Sequence, residues 1–212
     1  MESGARRACI RIEKVRIERI RIERNGQRSA VMRITAGSMR GRIVPVADVP
    51  GLRPTPSKIR QALFNIIVSV DGYAVLDLYA GSGIMALEAL SRGASTATSI
   101  EQHQQAIQSQ HQTRQLLQLS EGWIIQHSSV EQGLTALAGA SFDLIFADPP
   151  YAQGEAEKLP LLLDQHSIAC GQLIIEESSR QQPIWPQGWA SEQSRRYGDS
   201  CLHFLARAKH SV

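Results

Sequence analysis

Val75-Leu76-Asp77-Leu78-Tyr79-Ala80-Gly81-Ser82-Gly83 reads as a buried strand, a tight turn and the start of a helix. A short, nearly continuous apolar run of this kind marks a strand covered on both faces. Glycines at 81 and 83 let the backbone pass close to a ligand where a Cβ would collide. The full G-x-G-x-x-G is absent, because Ala86 stands in place of the third glycine, so the match to a dinucleotide fingerprint is partial. Asp77, at the strand end, can accept hydrogen bonds from an ammonium group or from water beside one. A pyrophosphate prefers a helix N-terminus without such a carboxylate, whereas a ligand with an amino-acid moiety and no phosphate tolerates it. Glu101 closes the next apolar run, 18 residues past Gly83, near the spacing at which an acidic residue meets ribose hydroxyls.

The chain alternates strand-like and helix-like segments on either side of this turn. Strands are expected at 74–78, 96–100, 123–126, 142–147 and 172–176, and helices at 84–91, 102–119, 130–138 and 155–165. A hairpin pair, 193–197 and 201–207, closes the chain around Gly198-Asp199. Repeated β-α units with an antiparallel close imply a doubly wound α/β fold. It is Rossmann-like, with a mostly parallel seven-stranded sheet, an antiparallel C-terminal hairpin strand and helices on both faces. Upstream, Ile43-Val44 and Val46, divided by Pro45, suggest edge strands or a small hairpin. Thr55 or Ser57 can cap a helix over 58–70 that places Ile59, Leu63, Ile66, Ile67 and Val70 on one face.

Composition removes several function classes. No apolar run approaches the ~18 residues of a membrane span. Cys9, Cys170 and Cys201 are too scattered for a disulfide framework or a zinc site, so a reducing cytoplasm and no metal are expected. The net charge of +3 is unevenly divided. Residues 1–31 hold nine of the 23 basic and four of the 20 acidic side chains, which leaves residues 32–212 slightly acidic. Within that remainder, residues 33–60 hold Arg33, Arg40, Arg42, Arg53, Lys58 and Arg60 against only Asp48, a local excess suited to a confined nucleic-acid contact. Residues 10–24 are three near-copies of a five-residue unit, Ile-Arg-Ile-Glu-Lys, a period that fits neither strand nor helix. We therefore expect three regions. Residues 1–31 form a low-complexity basic tail, disordered or a non-native extension ahead of a start at Met32. Residues 32–70 form a nucleic-acid-contacting appendage with its lead-in helix, and 71–212 form the α/β domain.

The most specific motif is Asp148-Pro149-Pro150-Tyr151, just outside the carboxyl end of the fourth strand of the domain. An exocyclic base amine is a poor nucleophile because its lone pair is delocalised into the ring. The Asp148 carboxylate and the Pro149 carbonyl, accepting both N–H groups, favour a pyramidal nitrogen and release that pair. Pro149 and Pro150 stiffen the loop, and Tyr151 offers a flat face for an unstacked base. A methyl donor of the S-adenosylmethionine type fits both this loop and the turn at 77–83.

Together the segments resemble the RsmD-type methyltransferases, which modify the exocyclic N2 of guanine 966 in 16S ribosomal RNA. The resemblance spans about 33–207. It rests on Arg33-Ile34-x-Ala36-Gly37-x-x-Arg40-Gly41-Arg42, on Arg53-Pro54-Thr55, and on Arg60-Gln61-Ala62-Leu63-Phe64-Asn65. It also rests on Asp77-x-x-Ala80-Gly81-Ser82-Gly83, on Glu88-Ala89-Leu90-Ser91-Arg92-Gly93-Ala94 and on the Asp-Pro-Pro-Tyr loop. The resemblance implies that Asp77, Tyr79, Ala80, Gly81, Gly83, Glu101, Ser128, Ser129 and Asp148 hold S-adenosylmethionine, and that Asp148, Pro149, Pro150 and Tyr151 hold the guanine. Arg33, Arg40, Arg42, Arg53, Lys58 and Arg60 would then approach phosphates of 16S rRNA or of an assembling small subunit, and the protein would act as a monomer. Two departures stand out: Gln61 replaces a usual Glu, and His127-Ser128-Ser129 occupies the place where Asp or Asn followed by Ala binds adenine. Adenine-N6 or other guanine methylation, and a non-catalytic RNA-binding assembly factor, are the competing expectations.

Overall fold

The computed structural model describes residues 31–49, 55–119, 121–151 and 154–208. A small antiparallel hairpin comes first, β1 (Val31–Arg33) and β2 (Ile43–Pro45), with Met32 opposite Val44. Helix α1 (Ser57–Ile67) leads into the α/β domain: β3 (Ala74–Leu78), α2 (Ile84–Ser91), β4 (Thr96–Glu101), α3 (Gln104–Leu116), β5 (Trp123–His127), α4 (Val130–Ala136), β6 (Ser141–Ala147), α5 (Glu155–Gln165) and β7 (Ala169–Ser178). Strands β8 (Trp189–Tyr197) and β9 (Ser200–Arg207) form the closing hairpin. The large sheet has the order β5-β4-β3-β6-β7-β9-β8; its first five strands are parallel, and β9 runs antiparallel to both neighbours.

Side-chain alternation along the strands builds the two layers. Val75, Leu144, Phe146 and Ile174 point to one face, where they pack with Leu63, Phe64, Met85 and Leu87 of α1 and α2. Leu76, Leu78, Ile145, Leu173 and Ile175 point to the other, against Leu134, Leu159 and Leu163 of α4 and α5. Each such fully buried side chain contributes roughly 1.5–3 kcal/mol of transfer free energy.

Several boundaries differ from expectation for local reasons. Helix α1 stops at Ile67 because Val68 takes a left-handed φ of 68°; Val70 is buried but lies beyond the helix. Neither Thr55 nor Ser57 caps α1: the N-cap is Pro56, with no side-chain bond. Helix α3 is shorter at both ends than expected, and β8 starts at Trp189, four residues early. An irregularity between Ser191 and Gln193 breaks the period-2 pattern there and hides the strand from the sequence. Apart from Val31, which opens β1, the tail expected over 1–31 lies outside the described residues, as do Arg53 and Pro54.

The hairpin is clasped onto α2 through three polar residues of that otherwise apolar helix and its cap. Glu88 accepts from the Thr35 amide (2.8 Å) and hydroxyl (2.9 Å). The Ser91 hydroxyl donates to the Ala36 carbonyl (2.6 Å), and Arg92 reaches Thr35 (3.0 Å) while stacking on Phe64 at 4.5 Å. Gly37, at φ 79°, lies so close to the Ser91 carbonyl that a Cβ there would overlap it. The Glu88–Ala94 motif therefore serves as a seam between appendage and domain.

Candidate active site

The chain winds from β3 outward through β4 and β5, then returns to place β6 on the other side of β3. Ligands of open α/β sheets bind at such a switch point, beyond the carboxyl ends of the strands. Asp77 is in register with Phe146 and Leu78 with Ala147, so the turn after Leu78 and the loop after Ala147 leave the sheet side by side.

The turn at 79–83 is a tight knot. Tyr79, Gly81 and Gly83 have φ of 58°, 53° and 72°. A tyrosine in the left-handed region costs about 1 kcal/mol, a strain typical of functional turns. The Ala80 amide donates to the Ile100 carbonyl (3.0 Å) and the Gly83 amide to the Ala80 carbonyl (2.7 Å). Glu101 accepts from the Gly81 amide at Oε2 (2.7 Å), and its Oε1 lies 2.8 Å from the His103 amide and 2.7 Å from His103 Nδ1. Asp77 is 1% exposed, and its Oδ2 accepts from the Ala86 amide of α2 at 3.2 Å. Burial raises its pKa well above the usual carboxylate value; the Ala86 bond opposes this and the nearby Glu101 adds to it. A Cβ at Gly83 would strike the Trp123 ring, which is fixed by its indole donating to Ser99 (2.9 Å), so core packing by itself demands this glycine. The Tyr79 hydroxyl donates to Glu155 at 3.4 Å, and burial raises the phenol's pKa.

Ser128 and Ser129 part company. Ser129 caps α4: its Oγ accepts from the Gln132 amide (3.3 Å) and the Gln132 side chain returns to the Ser129 amide (3.4 Å), so its hydroxyl is already engaged. Ser128 follows β5, its amide donating to the Glu101 carbonyl at 3.1 Å, and its Oγ is buried with no hydrogen-bond partner among the described residues. Asp77 and Glu101, the turn's backbone and this unpaired hydroxyl include no cation. Such a donor set fits a ligand with an ammonium group and ribose hydroxyls better than a pyrophosphate.

Across the crevice, Pro149 is buried, Pro150 exposed, and Asp148 and Tyr151 half-buried. Asp148 Oδ2 accepts from the Thr55 hydroxyl at 3.4 Å. The Tyr151 hydroxyl lies 3.0 Å from Glu176 Oε1 and 3.2 Å from Ser200 Oγ, which ties the loop to β7 and β9. Burial raises the Asp148 pKa well above the usual carboxylate value, and Glu176, Asp77 and Glu177 add to this while the Thr55 bond opposes it. Glu176 is 2% exposed and is also raised, chiefly by burial.

The basic residues divide. Arg40, Arg42 and Lys58 are exposed, as is Arg33, whose guanidinium donates to the Gly41 carbonyl at 3.2 Å. Arg60, expected to meet RNA phosphate, is 1% exposed. Its Nη1 donates to the Thr55 carbonyl (2.6 Å), Nη2 to the Arg33 carbonyl (2.8 Å) and Nε to Glu88 (3.2 Å). That corrects the expectation: a guanidinium with its donors engaged inside the seam offers no face to an RNA. Gln61, the departure next door, is exposed. Sequence reasoning missed Glu88, Glu176 and Thr55 as partners of the site. Glu88 had left a signal, being the one charge within the apolar run from Ile84 to Leu90.

Sheet order, strained turn and proline loop together define a methyltransferase of Rossmann-like fold. Residues 32–206 match the family described as "Conserved hypothetical protein 95". The chain is 37% identical over 188 residues to ribosomal RNA small subunit methyltransferase D of Escherichia coli (strain K12), covering 86% of this chain and 93% of that protein. It is 32% identical over 172 residues to the protein of the same name from Haemophilus influenzae, covering 79% and 89%. The solved structure of the yhhF protein from Escherichia coli superimposes with a TM-score of 0.74 at 30% identity, covering 84% of this chain and 98% of that one. The chain therefore belongs to the ribosomal RNA small subunit methyltransferase D family.

Proposed function

We propose that this protein transfers a methyl group from S-adenosylmethionine to the exocyclic N2 of a guanine in 16S ribosomal RNA, at guanine 966, as the small subunit matures in the cytoplasm. The observation that carries this reading is the emergence of the Asp148–Tyr151 loop and the 79–83 turn side by side at the switch point. Relatives named for ribosomal RNA of the small subunit support the substrate class. Asp77, Glu101, Ser128 and the backbone from Tyr79 to Gly83 would hold the cofactor, with Ser129 contributing through its backbone. Bound there, it supplies an electrophilic sulfonium methyl group.

The rest is done by the chain itself. Asp148 and the Pro149 carbonyl accept the two N–H groups of N2, which frees its lone pair along the methyl axis. The Tyr151 ring supports the flipped base while its hydroxyl is anchored on Glu176. The nitrogen sheds one proton as the N–C bond forms and the S–C bond breaks. Asp148 takes that proton, a role suited to a carboxylate whose proton affinity is raised by burial and by Glu176. Arg33, Arg40, Arg42 and Lys58, with Arg53 from outside the described residues, would approach the RNA backbone.

The test is transfer of radiolabelled methyl to small subunits and rRNA from cells lacking the protein, followed by nuclease digestion. Label recovered as N2-methylguanosine is the expected result. Label on adenine would keep the chemistry and overturn the base assignment; RNA binding without cofactor binding or label would favour a non-catalytic assembly factor.

A further inference from the structure

Thr55 sits at the junction of appendage and domain, 7% exposed and one residue ahead of the α1 cap. Its carbonyl and its hydroxyl face different partners. The carbonyl accepts the 2.6 Å bond from Arg60 Nη1, and Arg60 is itself held by Glu88 of α2, which is fully buried. The hydroxyl donates to Asp148 Oδ2 at 3.4 Å. A continuous chain of bonds therefore runs from the helix that follows the 79–83 turn, through Glu88, Arg60 and Thr55, to the carboxylate of the proline loop.

We propose that Thr55 is a positioning residue for methyl transfer: its hydroxyl, fixed in place by Arg60, occupies one oxygen of Asp148 and leaves the other aimed at the substrate amine. The inference rests on the assignment of Asp148 above. A carboxylate free to rotate presents either oxygen at any tilt, whereas one pinned at Oδ2 keeps Oδ1 in a single orientation. The bond also has an electrostatic consequence. Glu176 and Glu177 from β7 and Asp77 from β3 oppose the ionisation of Asp148, and the Thr55 hydroxyl, which donates to it, favours the anion. Tyr151, in the same loop, directs its hydroxyl to Glu176 and Ser200.

Thr55→Val keeps the shape and removes the donor; Thr55→Ser keeps the donor. Both are compared with the wild type for methyl transfer to undermethylated small subunits across pH, and for S-adenosylmethionine binding by calorimetry. Thr55→Val is expected to lower kcat about 10- to 100-fold, the loss of one hydrogen bond to a charged group, with the KM for RNA and the cofactor Kd near wild type. The acid limb of its kcat profile should move to higher pH, because the anion has lost its donor, and Thr55→Ser should restore both rate and limb. Unchanged kcat in Thr55→Val overturns the inference. A uniform loss with an unmoved acid limb also overturns it, since that is the mark of a bracing role alone. If the wild type transfers no methyl group, the proposed function itself falls, a result distinct from either.

Discussion

Tyr151 donates its hydroxyl to Glu176 Oε1 at 3.0 Å, so the aromatic residue of the loop is held by a buried carboxylate that also crowds Asp148. Glu176→Gln keeps an oxygen for Tyr151 and removes the charge. With a like charge gone, Asp148 ionises more easily, so the acid limb of kcat should move to lower pH. Rate profiles against pH check this; a limb that stays put would mean that Glu176 does not act on Asp148.

Asp148 also sets a stability prediction. Its folded pKa is raised above the unfolded value, so the stability linked to it is present below the unfolded pKa and lost as pH rises through the folded one. Ionisation of Asp148 therefore weakens the fold as pH rises. Asp148→Asn should raise the Tm at neutral pH, and the gain should vanish in acid, while kcat falls by about a hundredfold or more as the acceptor becomes a neutral amide. Thermal melts at both pH values decide it. A variant that melts lower at neutral pH would show that Asp148 is stabilised by contacts outweighing the crowding.

Much of this was legible in the residues. The strand at 74–78 and the helix at 84–91 fall where periodicity puts them, because buried parallel strands and the Gly-Ser-Gly break are local signals. The proline loop is legible for the same reason. Partnerships across 28 to 93 residues, such as Arg60 with Glu88 or Thr55 with Asp148, leave no local trace, since burial is decided by the tertiary seam. An arginine in a basic stretch resembles a phosphate ligand until the fold shows it facing inward. The capping box of Ser129 with Gln132 is likewise set by where α4 starts, at Val130, which no short stretch of sequence fixes.

The Arg60–Glu88 pair, with side chains 2% and 0% exposed, should be costly to break from one side. Arg60→Met leaves Glu88 buried with Arg92 as its remaining cation and frees the Thr55 and Arg33 carbonyls. A loss of about 3–5 kcal/mol is expected, read as a lower urea midpoint at unchanged slope. In a double-mutant cycle with Glu88→Gln the two losses should be less than additive. A single loss under about 1 kcal/mol would mean that the seam relaxes around the missing guanidinium.

Arg40 and Arg42 lie on the exposed side of the turn whose other side is clasped to α2, where the Ser38 amide donates to the Ser91 carbonyl at 2.7 Å. Anchored from beneath, the turn presents both guanidinium groups without needing them for its own fold. Replacing both with Gln should therefore change stability by less than about 0.5 kcal/mol. RNA affinity should fall, and the slope of log affinity against log salt should flatten by roughly 1.5, the release of about two phosphate contacts. Arg60→Lys, altering a buried arginine, should leave that slope unchanged, which separates surface charge from charge used inside the seam. Filter binding over a salt series measures both. An unaltered slope in the double variant would move the RNA contact off this turn and leave Arg33 and Lys58 as the exposed candidates.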